Sequence, residues 1–361
     1  MDAGADVGRI LGKYNPKKIS AATIGSHSAL QIFKGAKEEG LRTVCISRPD
    51  EDGLYKHYKL VDDFIYVNSY ADILKPKIQD RLRQLNSIII PHGSFNAYID
   101  QEVMEKELAV PMLGNRTLLK WETSRELQRK WLSEAGLMVP KIYDSKDDIN
   151  GLVFVKFPGA RGGKGYFVVD SPKAYDHKMK DMIKRGLVTK EVAKHPYIQE
   201  YIIGVSVYPH YFYSPLACEV ELLGIDKRYE SSVDALDRIP VPEQISQQLN
   251  PSFTIVGNFP MVVRESLLHD IYRMGEKIVA YSKKVTKKGV VGPFCLETIC
   301  RDDLALVAFE ISARIVAGCN VFIGGSPYTY LRYDEPMYMG RRIAREIKQA
   351  AKTGRLGDVV T

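Results

Sequence analysis

The sequence predicts a protein of the α/β and α+β classes with two domains. In residues 1–120, short apolar stretches alternate with amphipathic ones, which is typical of a parallel sheet covered by helices. In residues 121–361, neighbouring apolar stretches predict antiparallel hairpins. A chain of 361 residues is also too long for one ordinary hydrophobic core.

The composition excludes several classes of protein. The 45% hydrophobic and 26% charged residues are usual for a globular protein, and no apolar run approaches the roughly 20 residues of a membrane span. The net charge of +7 is compatible with anionic small molecules or nucleic acid, and equally with a lysine-rich solvated surface. The five cysteines lack the close pairs of zinc or redox sites. Because residues 1–6 do not resemble a signal segment, we expect a cytoplasmic protein with reduced thiols and no membrane partner.

The N-terminal segment predicts a βαβ unit that further strands extend. The predicted elements are strands at 19–24, 42–46, 64–67 and 87–90 and helices at 29–39 and 77–85. Ligands of parallel sheets lie beyond the carboxyl ends of the strands. The loops that contain His27 and Ser94 follow such ends, so both residues are candidates for substrate contact. His27 could equally be a general base, a phosphate ligand or a histidine satisfied by its neighbours.

The domain boundary is expected near one amphipathic helix over residues 117–136, which Gly136 ends. We therefore predict domains at residues 1–120 and 121–361. The second divides into a smaller lobe with a glycine lid and a larger lobe with paired glutamates, residues 121–202 and 203–361. Its predicted elements are strands at 152–157, 166–169, 197–202, 205–213, 294–299 and 304–311, a helix at 266–284 and a last helix beginning near Glu335.

A glycine-rich loop joins the first two of these strands and indicates phosphate binding. Four glycines fall within residues 159–165, and backbone N–H groups can approach phosphate oxygens there. Lys156 precedes the loop, and Arg161 and Lys164 lie inside it. The loop is not a Walker motif, because Lys164 is followed by glycine and a strand instead of Ser or Thr and a helix. The alternatives are an edge-strand lysine facing water and an idle hairpin tip.

Two glutamates in apolar surroundings indicate a metal site. Glu297 and Glu310 lie on strands that a turn at residues 301–303 would join, so antiparallel pairing would set them opposite each other. Buried carboxylates need a cation, and magnesium prefers oxygen ligands. The alternative is a salt bridge to a lysine. Arg314 follows Glu310 closely and could stabilise a transferring phosphoryl group or be structural.

The order of these elements resembles the ATP-grasp ligases, in which two α+β lobes clamp ATP after a Rossmann-like, pre-ATP-grasp domain. The resemblance covers essentially the whole chain. More narrowly, residues 23–30, 159–167 and 310–318 are similar to the archaeal formate-dependent FAICAR synthetases. Many ATP-grasp relatives carry a metal-binding Asn where this sequence has Ser312.

The resemblance implies the formylation of AICAR (5-aminoimidazole-4-carboxamide ribonucleotide) to FAICAR. ATP and formate would be consumed, formyl phosphate would be the intermediate, and the protein would be a homo-oligomer. It implies AICAR contacts at His27, Ser94 and Asn258, and a divalent cation, magnesium or manganese, at Glu297 and Glu310. It implies ATP contacts at Lys156, Arg161, Gly162, Gly163, Lys164, Gln199, Glu200, Tyr201, Ile202 and Glu230. The catalytic role of Arg314 is inferred from its place beside Glu310, and Glu230 could instead be a surface residue.

Two other functions remain open at the level of sequence. One is a related ATP-grasp ligase of nucleotide metabolism with another acid or amine. The other is a nucleotide-binding regulatory or RNA-binding protein without turnover. The sequence disfavours the second, because it has no run of Lys and Arg with interleaved aromatic residues.

Overall fold

The computed structural model describes residues 3–157, 166–246 and 253–361. Arg161, Gly162, Gly163 and Lys164 of the predicted glycine loop therefore lie outside the described residues. Within the described ranges, no helix combines the length and the apolar character needed to cross a bilayer.

The first sheet is parallel and covered by helices, as predicted. Its strands are β1 (Ser20–Ile24), β2 (Arg42–Ser47), β3 (Asp63–Tyr66) and β4 (Ser87–Ile89). The helices of this region are α1 (Ala3–Leu11), α2 (Ala29–Glu38), α3 (Gly53–Tyr58), α4 (Pro76–Gln84), α5 (Gly93–Tyr98) and α6 (Gln101–Glu107). The strand order is β3-β2-β1-β4, and every pairing is parallel. All residues of β1 are buried, as expected for a strand covered on both faces.

The segment predicted as one helix over residues 117–136 forms two helices, α7 (Arg116–Thr123) and α8 (Arg125–Glu134). Ser124 separates them, because its backbone is extended, with φ −100° and ψ 117°. Its side-chain oxygen accepts a hydrogen bond from the N–H of Leu127 at 3.3 Å and caps α8. The prediction of one helix was wrong because the apolar spacing continues across a residue that starts a new helix.

The second sheet is antiparallel and carries the strand with Lys156. Its elements are β5 (Ile142–Tyr143), β6 (Val153–Lys156), β7 (Tyr166–Val169), α9 (Pro172–Lys184) and β8 (Tyr197–Glu200). The strand order is β5-β8-β6-β7, so β6 has a neighbour on each side. Lys156 is therefore not an edge-strand lysine, and that alternative was wrong.

The third sheet has five antiparallel strands. They are β9 (Val205–Ser214), β10 (Glu219–Ser232), β11 (Phe253–Pro260), β12 (Gly292–Cys300) and β13 (Leu306–Ser312). The order is β11-β10-β9-β12-β13. The strands β10 and β11 are absent from the sequence prediction, because β10 carries many charged residues and lacks a clean alternation. The helices of this region are α10 (Val241–Ser246), α11 (Leu268–Val285), α12 (Pro327–Tyr333), α13 (Met339–Lys352) and α14 (Leu356–Val359).

The last long helix, α13, begins at Met339 and not near Glu335. Asp334 has a left-handed backbone conformation with φ 51°, and Pro336 disfavours a helical conformation of the residue before it. Tyr338 is extended and immediately precedes the helix. The predicted start was wrong because these residues form a connection from α12.

The crossing of α2 and α13 joins the last segment of the chain to the first sheet. Gly35 and Gly340 lie at the crossing, where a Cβ on Gly340 would come within 2.1 Å of the carbonyl oxygen of Gln31. The N–H of Gly340 donates to Oε1 of Gln31 at 3.0 Å. Because residues of the predicted second domain pack on the first, the division at residues 120 and 202 stays a prediction.

Gly340→Ala should destabilise the protein by about 1–3 kcal/mol, because the added methyl group overpacks a backbone contact that cannot move away. The measurement is urea unfolding followed by circular dichroism. The matched control is Gly8→Ala in α1, where a Cβ meets nothing within 4 Å. Equal unfolding midpoints for Gly340→Ala and the control would contradict the close crossing.

Candidate active site

Two adjoining cavities mark a cleft where the second and third sheets meet. They have volumes of about 340 and 320 Å³ and share Pro140, Lys156, Gln199 and Phe309. A larger cavity of about 550 Å³ lies against α1 and α4 and contains none of the predicted site residues. We therefore place the candidate site in the cleft.

Lys156 and Gln199 project from neighbouring strands into this cleft. Nζ of Lys156 donates to Oε1 of Gln199 at 2.9 Å. Burial lowers the pKa of Lys156, the nearby Arg125 lowers it further, and Glu310 opposes the shift. An anion such as a phosphate would stabilise the charged form of this buried ammonium group.

The second cavity has a largely apolar lining formed by the end of β8 and the residues after it. The ring of Tyr201 packs on Phe154 with centroids 4.6 Å apart. The carboxylate of Glu200 accepts the N–H of Lys141 at 2.9 Å. The predicted ATP residues that line this cavity are Lys156, Gln199, Glu200, Tyr201 and Ile202. Apolar walls with a few polar groups are the usual surroundings of a planar base.

Glu297 and Glu310 stand opposite each other across the pairing of β12 and β13, as predicted. Repulsion by Glu297, followed by burial, raises the pKa of Glu310 to about 8. Protein surrounds Glu310 closely, although its side chain stays open to the cleft. Without a cation beside it, Glu310 therefore keeps a proton at neutral pH, and the oxygen donors of the two carboxylates fit a hard divalent cation. No group of three or more His, Cys, Asp or Glu that could hold a metal occurs in the described part of the chain.

An arginine, and not the lysine considered above, pairs with Glu297. Both terminal nitrogens of Arg228 donate to the two oxygens of Glu297, one of them at 2.7 Å. The guanidinium group also lies over the ring of Tyr208, 4.7 Å from its centroid. Because Glu297 is bidentately paired, Glu310 is the member of the glutamate pair with the greater need for a cation.

Arg314 is held by Glu122, a residue that the sequence did not single out. Nη2 of Arg314 lies 2.7 Å from Oε1 of Glu122. The same oxygen accepts Nδ2 of Asn96 at 2.7 Å, and Oε2 accepts the N–H of Ala313 at 2.8 Å. Glu122 thus ties Arg314 to α5, the helix that begins beside Ser94. A buried carboxylate that is itself held by two other donors keeps the arginine beside it in place.

His27 and Ser94 meet through His92. The rings of His27 and His92 stack with centroids 5.5 Å apart. Nε2 of the fully buried His92 contacts the carbonyl oxygen of Ile24 at 2.9 Å, and its Nδ1 accepts the N–H of Ser94 at 3.2 Å. Enclosure by protein, with the cations Arg314 and Arg228, lowers the pKa of His27 to about 4, although the side chain reaches solvent on one side.

Asn258 and Glu230 lie on the neighbouring strands β11 and β10. Asn258 pairs in register with Arg228. Its Nδ2 donates to Oδ2 of Asp226 at 2.5 Å. Glu230 follows a bulge in β10, and burial raises the pKa of its carboxyl group. Arg228 thus links the strand of Asn258 to Glu297. The residues predicted within the glycine loop lie outside the described residues.

The chain is similar to known proteins over nearly its whole length. Two family models match, a domain of unknown function (DUF1297) over residues 174–361 and a protein of unknown function (DUF1246) over residues 21–143. A relative from Methanocaldococcus jannaschii is 50% identical over 352 residues, with 98% of each chain covered. It is named 5-formaminoimidazole-4-carboxamide-1-(beta)-D-ribofuranosyl 5'-monophosphate synthetase.

Solved structures give the fold. An IMP biosynthesis protein PurP from Thermococcus kodakaraensis matches with a TM-score of 0.74 and 34% identity, covering 94% of this chain and 100% of that one. The biotin carboxylase domain of the 2-oxoglutarate carboxylase from Hydrogenobacter thermophilus matches with a TM-score of 0.62 and 13% identity. That match covers 91% of this chain and 69% of the other and concerns the fold alone. The predicted ATP-grasp fold is confirmed.

His92 should stay neutral, with its proton on Nε2, from pH 8 down to pH 5. Burial, followed by the neighbouring His27, lowers its pKa to about 3, so protonation begins only near that pH. Two-bond ¹H–¹⁵N correlation spectra of the histidine-labelled protein, assigned with His92→Asn, measure the tautomer. A His92 titration midpoint between pH 5 and 7 would show that the stack is not formed as described.

Proposed function

The chain belongs to the family of the 5-formaminoimidazole-4-carboxamide ribonucleotide (FAICAR) synthetases, and on this premise we propose that it formylates AICAR in purine nucleotide synthesis. In the first step a formate oxygen attacks the γ-phosphorus of ATP, which gives formyl phosphate and ADP. In the second step the 5-amino group of AICAR attacks the formyl carbon. Phosphate leaves, the amine loses a proton, and FAICAR forms.

The observation that carries this proposal is the convergence of cations and carboxylates in one cleft. Lys156 and Glu310 line the same cavity. Oε1 of Glu122, which also lines it, lies 2.7 Å from Nη2 of Arg314. The transfer of a phosphoryl group between two oxygens is catalysed mainly by cations that stabilise the transition state, and the protein need not form a covalent bond to the group. The cleft therefore has the charges that carboxylate activation by ATP requires.

We assign the residues to roles from the cavity that they line, where they line one, and otherwise from the resemblance to the family. Lys156 and Gln199 would contact the phosphates, and Tyr201 and Ile202 would contact the adenine in the apolar cavity. Glu230 would contact the ribose. Arg161, Gly162, Gly163 and Lys164 are proposed to cover the phosphates from the loop between β6 and β7.

The AICAR nucleotide would lie against His27, Ser94 and Asn258, away from the residues proposed to contact the adenine of ATP. His92 holds the first two in place through its stack and its hydrogen bond. Arg314 would neutralise the charge that develops during phosphoryl transfer, since Glu122 fixes its orientation. Exclusion of water by the closed cleft would protect formyl phosphate from hydrolysis.

A divalent cation, magnesium or manganese, would be held by Glu297 and Glu310. Their facing carboxylates and the raised pKa of Glu310 support this assignment. When bound, the cation supplies positive charge next to the phosphates of ATP. The assembly of several copies into a homo-oligomer is a further part of the proposal.

The test is an omission assay with the purified protein, ATP, magnesium, formate and AICAR, in which ADP and FAICAR are both measured. ADP release should require formate, and FAICAR should appear in amounts equal to ADP. ADP formation that is the same with and without AICAR, or no ADP formation at all, would point to another acid or amine.

Glu310→Gln should reduce turnover in this assay by about a hundredfold or more, because it removes a proposed metal ligand and half of the carboxylate pair. The matched control is Asp302→Asn, which removes one negative charge from the exposed turn that joins β12 and β13. Circular dichroism and the unfolding midpoint show whether each variant keeps the fold. Turnover of Glu310→Gln at the rate of the control would refute the metal assignment.

A further inference from the structure

We propose that Asp226 is a positioning residue that orients the amide of Asn258, so that the site selects a heterocycle presenting an N–H donor. The inference rests on the proposed function, in which Asn258 contacts the AICAR nucleotide. It adds a basis for choosing among nucleotides of similar size. Neither Asp226 nor its partner His210 was singled out in the sequence.

Asp226, His210 and Asn258 lie on three adjacent strands, β10, β9 and β11. Asp226 and His210 are each only 1% exposed. Oδ1 of Asp226 lies 2.6 Å from Nε2 of His210, and Oδ2 lies 2.5 Å from Nδ2 of Asn258. Both oxygens of the carboxylate are therefore occupied by nitrogen donors from different strands.

The carboxylate fixes which end of the Asn258 amide faces inward. An ionised carboxylate can only accept hydrogen bonds, so the amide atom against it is the nitrogen. Rotation of the amide by half a turn would place its oxygen against Asp226, and two acceptors would face each other without a proton between them.

Asp226 itself has little freedom to move. A Cβ on Gly318 would come within 2.4 Å of Oδ1 of Asp226, so the backbone after β13 closes directly over the carboxylate. On the far side, His210 is fully buried and its ring lies 6.4 Å from that of Phe322. Buried charge-assisted hydrogen bonds in such an enclosure hold one geometry.

Oδ1 of Asn258 is consequently the polar atom that this side chain offers to a ligand. Asn258 is partly exposed, and no donor within the described part of the chain forms a hydrogen bond to this oxygen. A ligand N–H group at this position gains a hydrogen bond. A ligand carboxylate there meets an oxygen with a second carboxylate behind it, which disfavours binding.

AICAR has two groups of the required chemistry, the 5-amino group and the 4-carboxamide nitrogen. Both are neutral N–H donors on neighbouring ring carbons, and the protein atoms alone recognise them equally. A nucleotide with a 4-carboxylate keeps the amine and loses the amide donor. A nucleotide without the 5-amino group keeps the amide and loses the amine.

The test is calorimetric titration of AICAR, its 4-carboxylate analogue and its 5-deamino analogue into the wild type and Asp226→Asn. In the wild type, the analogue without the bonded donor should bind about tenfold more weakly than AICAR. Equal affinity for all three ligands would overturn the inference while leaving the proposed function in place. Absence of binding by all three would overturn both, so the two failures are distinguishable.

Asp226→Asn should remove this preference. His210 would still donate to the side-chain oxygen at position 226, and the new amide nitrogen would face Asn258, whose amide would then turn its nitrogen to the ligand. For the analogue that binds more weakly to the wild type, the ratio of its dissociation constant to that of AICAR should fall by about tenfold in the variant. ATP affinity should change by less than about twofold.

A purely structural role would weaken all three ligands alike and leave their ratios unchanged, which would overturn the inference. Asp302→Asn is the control for the change in charge, and its ratios should equal those of the wild type. The wild-type series needs no variant, so it decides the matter even if Asp226→Asn does not fold.

Discussion

The register between β12 and β13 is the constraint on which the candidate site depends. It places Glu297 directly across from Glu310, and a bulge follows at Glu297 and Thr298. Two carboxylates held this close cannot both be ionised at little cost, which is why the pKa of Glu310 rises to about 8. Arg228 pairs with Glu297, whereas the side chain of Glu310 faces the cleft. A divalent cation and the phosphates of a nucleotide would complete this balance of charge.

Each of the remaining side chains of the site is held in place by a buried partner residue that lies behind it. Glu122 fixes Arg314, His92 fixes Ser94 and packs on His27, and Asp226 fixes Asn258. Each of the three anchors is buried. Such anchoring reduces the reorganisation needed when substrates bind, so the proposed substrate and phosphoryl positions are set before the reaction begins.

The sequence predicted the features that depend on local patterns. The parallel sheet follows from the alternation of apolar stretches, and the opposition of Glu297 and Glu310 follows from a short turn between two strands. The break at Ser124 was missed because the apolar spacing continues through it. The anchors were missed for a different reason. Glu122 reads as the polar face of a helix, and its bond to Ala313 spans 191 residues, so no spacing along the chain could indicate it.

The central claim is that the cleft activates formate by phosphorylation before the amine attacks. Turnover with [¹⁸O₂]formate followed by mass spectrometry of the released phosphate tests it most directly. If formyl phosphate forms, one formate oxygen stays with phosphorus when the amine displaces phosphate, and each phosphate should carry one ¹⁸O. Phosphate without ¹⁸O would mean that ATP is cleaved by water or by another acceptor, and the assignment of the cleft to carboxylate activation would be wrong.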